Sequence, residues 1–572
     1  MFKTIYRSLR REQLSKCTDD GVADFIFFFA TTVLFLLFSN LFLTAVFLFG
    51  GGLSLVVLGA SVALTVIFVF ALSRPWSVLI LASIALLFYG SVAVNQKIYD
   101  ISYDGQTYHQ EAVIQLSHGW NPVYQDLDPE KVDEAQKWIN YYPKSSWINE
   151  SYIYLLTNEQ RTAKALNLVL IAVSMALIYV ALKGSGWLNT FDTALLAVLL
   201  AFNPVSIYQS LSFYVDGQLM SLFLCIYSLL VVIHSKKRRL AFLPLLLVLT
   251  LFINIKFTAP VYGFFLIVGF MAAEWIQGNH SLAWKTFRAG ALALAIGVFL
   301  IGFSPYLTNT IRYGAPLYPL YGVNSIDFKL DNVPGNFIDK NSLEILFLSF
   351  FSDSGGARGL GTTSTYESPL SYTSDELDAF RFTDPVTGGF GPVFGAAVAG
   401  GLLALVAYWL VSTLRQDEEN RHRSRVAILL VLAVVALSAI NPIASNARYV
   451  PQAYLIVLPP IILLLSARKT FPHLIGYLMI VLLAVNSALI AQSYVSFNLQ
   501  TSAAISTKLA TLALISRKSR VLVYFNEYKS TRVMLQEAGV NYVSTTDHAN
   551  CPTFSRRLPE NTTEFCVDAA AK

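Results

Sequence analysis

Carboxylates, a phenol and an imidazole crowd into "DISYDGQTYHQEAVIQLSHGWNPVY", residues 100–124, which brings Asp100, Asp104, Tyr108, His109 and Glu111 close together along the chain. Carboxylates can take up protons, and phenols and imidazoles can give or accept hydrogen bonds, so such a run could line a polar site. Other strings offer groups for an anion. "SFYVDGQ" places Asp216 at the outer end of an apolar span, with Gly217 set for a tight turn. "NIKFTAP" puts Lys256 near the same level, where its ammonium either snorkels to the interface or neutralises a bound anion. "NPIASNARYVP" puts Arg448 and Tyr449 in a short turn between spans, and an arginine there needs an anionic partner such as phosphate. "SDSGGARGLGTTSTY" surrounds Arg358 with glycines, and "FTDPVTGGFGPVFG" follows it. Such a segment either turns backbone N–H groups towards a phosphate or forms a mobile lid, and it lacks the Lys-Ser/Thr ending of a nucleotide P-loop.

These residues sit on an unusually apolar chain. Of 572 residues, 55% are hydrophobic and 13% charged, and the mean hydropathy is +0.54. That composition implies a polytopic membrane protein in a lipid bilayer. The net charge of +5 is small and the basic residues lie in turns between spans, which argues against nucleic-acid binding. Apolar windows from 24–49 to 472–492 suggest about thirteen spans of roughly 20 residues. Lys and Arg collect on alternate turns, including "KTIYRSLRREQLSK", "HSKKRR" and "RQDEENRHRSR". The positive-inside rule makes those turns and the N-terminus cytoplasmic, and leaves 96–165, 305–389 and the tail from 493 outside. The span beginning at Phe25 is too long for a signal-peptide core, so it is read as its own insertion signal.

The expected fold class is all-α and polytopic, with amphipathic helices on the outer face and a small α/β C-terminal domain. Residues 1–492 form the membrane domain and 493–572 the outer domain, where "RVLVYF", "NEYKSTRVMLQEAG" and "VNYVSTT" read as strand, helix and strand. That domain either caps the bundle or helps bind substrate. Cys17 is placed in the cytoplasm and Cys225 in a span, while Cys551 and Cys566 share the outer tail and can pair in an oxidising compartment. No His/Cys ligand cluster is present, so no tightly bound metal is expected.

On a helical wheel, Asp104, Tyr108, Glu111, Gln115 and His118 fall within about 40° of one direction, with His109, Ala112, Val113 and Leu116 roughly opposite. The segment therefore reads as an amphipathic helix on the outer membrane surface, ended by Trp120-Asn121-Pro122, its acidic face turned to whatever cavity the loops enclose.

The many spans, the first outer loop opening on Asp just after a helix, and the late Arg-Tyr pair resemble the GT-C superfamily of membrane glycosyltransferases, which includes protein O-mannosyltransferases and the lipid A aminoarabinose transferase. In that family an Asp-Glu-x-x-Tyr motif opens the first loop, and "DGQTY" keeps Asp104 and Tyr108 at that spacing but has Gly105 for Glu. "YDGQTYH" and "GGFGPVFG" are similar to strings in bacterial members. The resemblance implies an inverting enzyme in the bacterial inner membrane, with its C-terminus periplasmic. It would transfer a sugar from a polyprenyl-phosphate donor to a glycan, glycolipid or protein acceptor. It implies Asp104 as base with Asp100 as runner-up. Tyr108 and Glu111 would orient the reactants, Arg448, Lys256 and Arg358 would bind phosphate beside Tyr449, and Asp216 and His109 would take supporting places. The family has metal-dependent and metal-independent members. A transporter or flippase of a lipid or polar solute would need ionisable groups deep in the spans, whereas here the acids gather at one interface. A glycan ligase or polymerase using a lipid diphosphate donor differs in the leaving group alone.

Overall fold

A computed structural model describes residues 21–73, 75–127, 138–236, 239–323, 325–355, 358–467, 470–545 and 556–567. Among them are 10 helices long and apolar enough to cross a membrane. Helices are the expected answer, because hydrocarbon leaves no water to satisfy backbone N–H and C=O groups. Three shorter apolar helices, Thr190–Ala201, Arg239–Ile253 and Pro451–Leu465, occupy the remaining apolar windows. Burial sorts the spans where hydropathy does not. Gln160–Ser185 and Asp216–Ser235 are 78% and 83% buried and form the centre, while Leu55–Leu72 and Ser77–Asn95, at 28% and 22%, lie at the periphery.

Two expectations about the spans need correction. The window 191–213 is not one helix: Thr190–Ala201 stops, and Asn203 caps a new short helix, Pro204–Gln209, by accepting from the Ser206 amide with proline in its first turn. Proline has no N–H to continue the first helix but suits the start of the second. The domain boundary at 492 falls inside a single helix, Thr470–Ser516, of 47 residues. At 1.5 Å per residue it runs ~70 Å, far more than a hydrocarbon core requires. Beyond 492 its apolar content falls, but Tyr494, Asn498, Thr501, Ser502, Ile505, Leu509 and Leu512 keep one buried stripe.

The C-terminal domain begins where that helix ends. Strand β1 (Val521–Tyr524), the helix Thr531–Glu537 and strand β2 (Tyr542–Ser544) form the expected unit, and β1 and β2 pair in parallel. Strands β3 (Arg556–Arg557) and β4 (Glu564–Val567) extend it to a 4-stranded sheet of order β2-β1-β4-β3. Cys566 on β4 is disulfide-bonded; Cys551, like Cys17, lies outside the described residues, and Cys225 is a buried free thiol.

Residues 100–124 do not form a surface helix. Gly105–His109 forms a turn of π-helix leading into the α-helix Gln110–Ser117, and Thr107, His109, Gln110, Glu111, Ala112, Val113 and Leu116 are all buried. Protein covers both of its faces, the helix Ser145–Thr157 packing on it and the C-terminal domain bonding to it. Gln106 Nε2 donates to the Glu560 carbonyl at 2.8 Å, Ser530 Oγ donates to the Gln106 carbonyl at 2.7 Å, and the Gln160 amide donates to Glu537 at 2.7 Å. Glu111 therefore faces the C-terminal domain, where Arg532 grips it with both terminal nitrogens.

That pair gives a direct test of how the domain is held. Breaking a wholly buried ion pair costs about 3–5 kcal/mol, and less here because the Arg532 side chain remains 28% exposed. Glu111→Gln is expected to speed limited proteolysis near residues 516–519 while the melting temperature of the membrane bundle holds. Unchanged cleavage would show that the other contacts suffice.

Candidate active site

Four turns at one end of the bundle converge on Arg448. Asp216 opens the helix Asp216–Lys236, favourably placed at the positive end of its dipole. The turn before it is pinned by Asn167 Nδ2, which donates to the carbonyls of Gln209 at 2.9 Å and Ser212 at 2.6 Å. Gly217 does not serve a turn as expected. It is helical, and a Cβ there would stand 3.3 Å from the Ser206 Cα, so glycine lets this helix press on its neighbour. Gln209 then spans the junction, accepting from the Gly217 amide at 2.8 Å and donating to Asp216 at 3.1 Å.

Lys256 leaves the end of the helix Phe242–Ile253, pairs with Asp216 Oδ1 and lies 4.6 Å from the centre of the Tyr449 ring. Arg448 is 8% exposed, and its guanidinium touches three carboxylates: Nε–Asp216 at 3.1 Å, Nη2–Asp104 at 3.4 Å and Nη1–Asp384 at 3.5 Å. Its flat face rests 4.5 Å from the Tyr214 ring centre, a cation–π contact strengthened by desolvation. The Asp104 side chain is 26% exposed and that of Asp384 24%, against 1% for Asp216. Asp216 is thus locked between cations, while the side chains of Asp104 and Asp384 stay partly exposed. Burial pushes the Asp384 carboxyl up against the opposing pull of Arg448, and it accepts from the Tyr214 hydroxyl at 3.3 Å.

Tyr108 and His109 stand beside this cluster in an aromatic wall with Tyr142, Trp147 and Tyr214. Trp147 Nε1 donates to His109 Nδ1 at 2.8 Å, and burial drives the imidazole down to about 3. At neutral pH His109 is uncharged and takes no part as a phosphate-binding cation. Tyr449 donates towards Asn332 at 3.4 Å. Arg358 is exposed, near enough for its charge to act on Tyr103 and Asp384.

Two expected site residues stand apart. Asp100 is 3% exposed and accepts from the amides of Ser102 and Phe213, both at 2.8 Å; burial raises its carboxyl. It braces the first loop against the turn before Asp216. Glu111 is committed to Arg532. The Asp100 brace also accounts for Gly105, because a Cβ there would lie 2.2 Å from Asp100 Oδ2 and from Ser102 Oγ. A glutamate at that position would have to displace the Asp100 and Ser102 side chains.

Asp384 and Tyr214 were not singled out from the sequence. The nearest signals are an aspartate before Pro385 and Gly388-Gly389, and a tyrosine two residues ahead of Asp216. Among the described residues no group of three or more His, Cys, Asp or Glu is arranged to hold a metal ion; the Arg448 guanidinium fills the centre of the three aspartates.

The cluster can therefore accept a proton at Asp104 or Asp384 and meet incoming negative charge with Arg358, Lys256 and Arg448. No protein-family model and no curated protein sequence matches the chain.

Proposed function

We propose that the chain is an integral membrane glycosyltransferase that moves a sugar from a polyprenyl-phosphate carrier to a hydroxyl acceptor, with inversion. The observation that carries this reading is the open carboxylate of Asp104 next to the buried guanidinium of Arg448, at the end of a bundle of membrane-length helices. A lipid carrier presents its phosphate at that level, and the glycan chemistry needs a base and a cation within reach of one another.

In this mechanism Asp104 takes the proton from the acceptor hydroxyl as its oxygen bonds to the anomeric carbon. The bond from that carbon to the phosphate oxygen breaks, and polyprenyl phosphate leaves with the electron pair. Arg358 meets the phosphate first from its exposed position, and Lys256 and Arg448 stabilise the developing charge in the drier interior. Asp216 keeps both inner cations in place. The same reading puts the protein in a bacterial inner membrane, with the outer loops and C-terminal domain in the periplasm.

The test is carrier release. Full-length protein in nanodiscs is supplied with undecaprenyl-phosphate-linked hexoses and pentoses in parallel, each together with a mixture of disaccharides and a Ser/Thr peptide as hydroxyl acceptors, and one of these donors is expected to yield undecaprenyl phosphate. Movement of lipid between leaflets without release would identify a flippase, and turnover confined to diphosphate donors would identify a ligase or polymerase.

A further inference from the structure

A polar cleft of about 360 Å³ opens where the first outer segment, the second outer segment and the C-terminal domain meet. This is within the range of small-ligand sites, roughly 300–1,000 Å³. Its walls include Tyr103, Thr383, Asp384, Tyr528, Glu560 and Thr562, so all three segments contribute and the cleft exists only while the C-terminal domain is docked.

The walls are braced. Gln106 Nε2 holds the Glu560 carbonyl at 2.8 Å, Asn561 Nδ2 donates back to Gln106 Oε1 at 2.6 Å, and the Tyr103 hydroxyl donates to Glu527 at 2.9 Å. Bonds of this kind preorganise a site and lower the ordering cost of binding. The cleft also leads to the carboxylates around Arg448. Asp384 lines it and touches Arg448 at 3.5 Å, and Tyr103 directly precedes Asp104.

The wall chemistry selects a ligand class. Tyr103 and Tyr528 stand edge to face with ring centres 6.1 Å apart, and the Tyr103 ring is 44% exposed. Hydroxyls, the carboxylates of Asp384 and Glu560, Arg557 and Phe382 surround them. A pyranose has an apolar C–H face for an aromatic ring and a rim of hydroxyls for acceptors and donors, whereas a lipid chain would desolvate these carboxylates without compensation.

We infer that this cleft binds a saccharide end and delivers one of its hydroxyls to Asp104 and Asp384. Its role as the acceptor site rests on the transferase reading; the binding itself does not.

Saturation-transfer NMR on the full-length protein in detergent, without donor, provides the test. The probes are maltose, lactose, N,N′-diacetylchitobiose and a short Ser/Thr peptide. At least one disaccharide is expected to bind, and both Thr562→Trp, which fills the cleft, and Tyr103→Ala, at an exposed ring, should weaken it about tenfold or more, a loss of about 1.4 kcal/mol. The tyrosine variant keeps the test valid should the tryptophan disturb folding. Binding of the peptide alone, of no probe, or of a disaccharide equally well by both variants would overturn the inference. Saccharide binding lost in both variants, in a protein that releases no undecaprenyl phosphate, would keep the cleft and remove the transferase reading. Carrier release by a protein that binds no disaccharide would do the reverse.

Discussion

Asp104→Asn is expected to lower sugar transfer by about 10²–10⁴-fold, the usual contribution of a general base, while the purified protein stays monodisperse and melts near the parent temperature. The substitution keeps the shape of the side chain and removes the charge. The Asp104 side chain is 26% exposed and its contact to Arg448 is long, at 3.4 Å, so little folding energy depends on it. The contrast with Asp100→Asn makes the result specific. Asp100 uses both oxygens as acceptors for the amides of Ser102 and Phe213, and an amide group would set an N–H against one of them. That variant should lose stability and expression, with turnover per folded molecule largely retained. Asp384→Asn tests the other partly exposed carboxylate of the cluster: burial raises the Asp384 carboxyl, and a raised carboxyl is the more basic one when ionised. Assays of carrier release alongside thermal melts in detergent separate the three. Full turnover in the Asp104 variant together with a large loss in the Asp384 variant would move the base to Asp384.

The membrane architecture was largely legible because the bilayer imposes a length and a polarity that composition reveals directly. What hydropathy could not report is how each span is shared between lipid and protein: Leu55–Leu72 is the most apolar span at 2.8, yet only 28% buried. The convergence of Asp216, Lys256 and Arg448 was readable in outline, since each sits at a span end on the same side. Asp384 was not. It lies in the loop ahead of the span Phe394–Leu414 among residues that resemble a turn, and it reaches Arg448 because the Gly388 amide donates to the Ser445 carbonyl and the Ala447 amide to the Gly388 carbonyl, both at 2.8 Å. The glycines permit that turn, Gly388 having φ +64°, but nothing local names its partner.

The helical wheel failed at Glu111 for a definite reason. A regular α-helix would put it on the face of Asp104, but the π turn at Gly105–His109 changes the angular step between them. Asp104 stays with Arg448 while Glu111 rotates to Arg532. The wheel's periodicity was sound within Gln110–Ser117 and wrong across the junction, which is where the site begins.

Arg448→Ala should be the most damaging single change in the cluster. It leaves Asp216, with a side chain 1% exposed, facing Asp104 and Asp384 with Lys256 as its remaining cation. Removing one partner of a buried ion pair typically costs about 3–5 kcal/mol, and less here because Lys256 still pairs with Asp216, but enough to lower the melting temperature and to abolish transfer. Since an unfolded protein is also inactive, two companions carry the argument. Arg448→Lys keeps the charge, but one ammonium cannot replace a fork whose three nitrogens each address a different aspartate; it should fold and still lose roughly 10²-fold in rate, in the range of one lost electrostatic contact in an active site. The double variant Arg448→Ala/Asp216→Asn removes the orphaned charge along with its partner. It should recover much of the lost stability and none of the activity, since the coupling between the two residues is then absent from the melt while the cation needed by the leaving phosphate is still missing. Recovery of both would mean that Arg448 serves the fold alone. Recovery of neither would place the damage outside the Arg448–Asp216 pair, in the contacts to Tyr214 and Asp384.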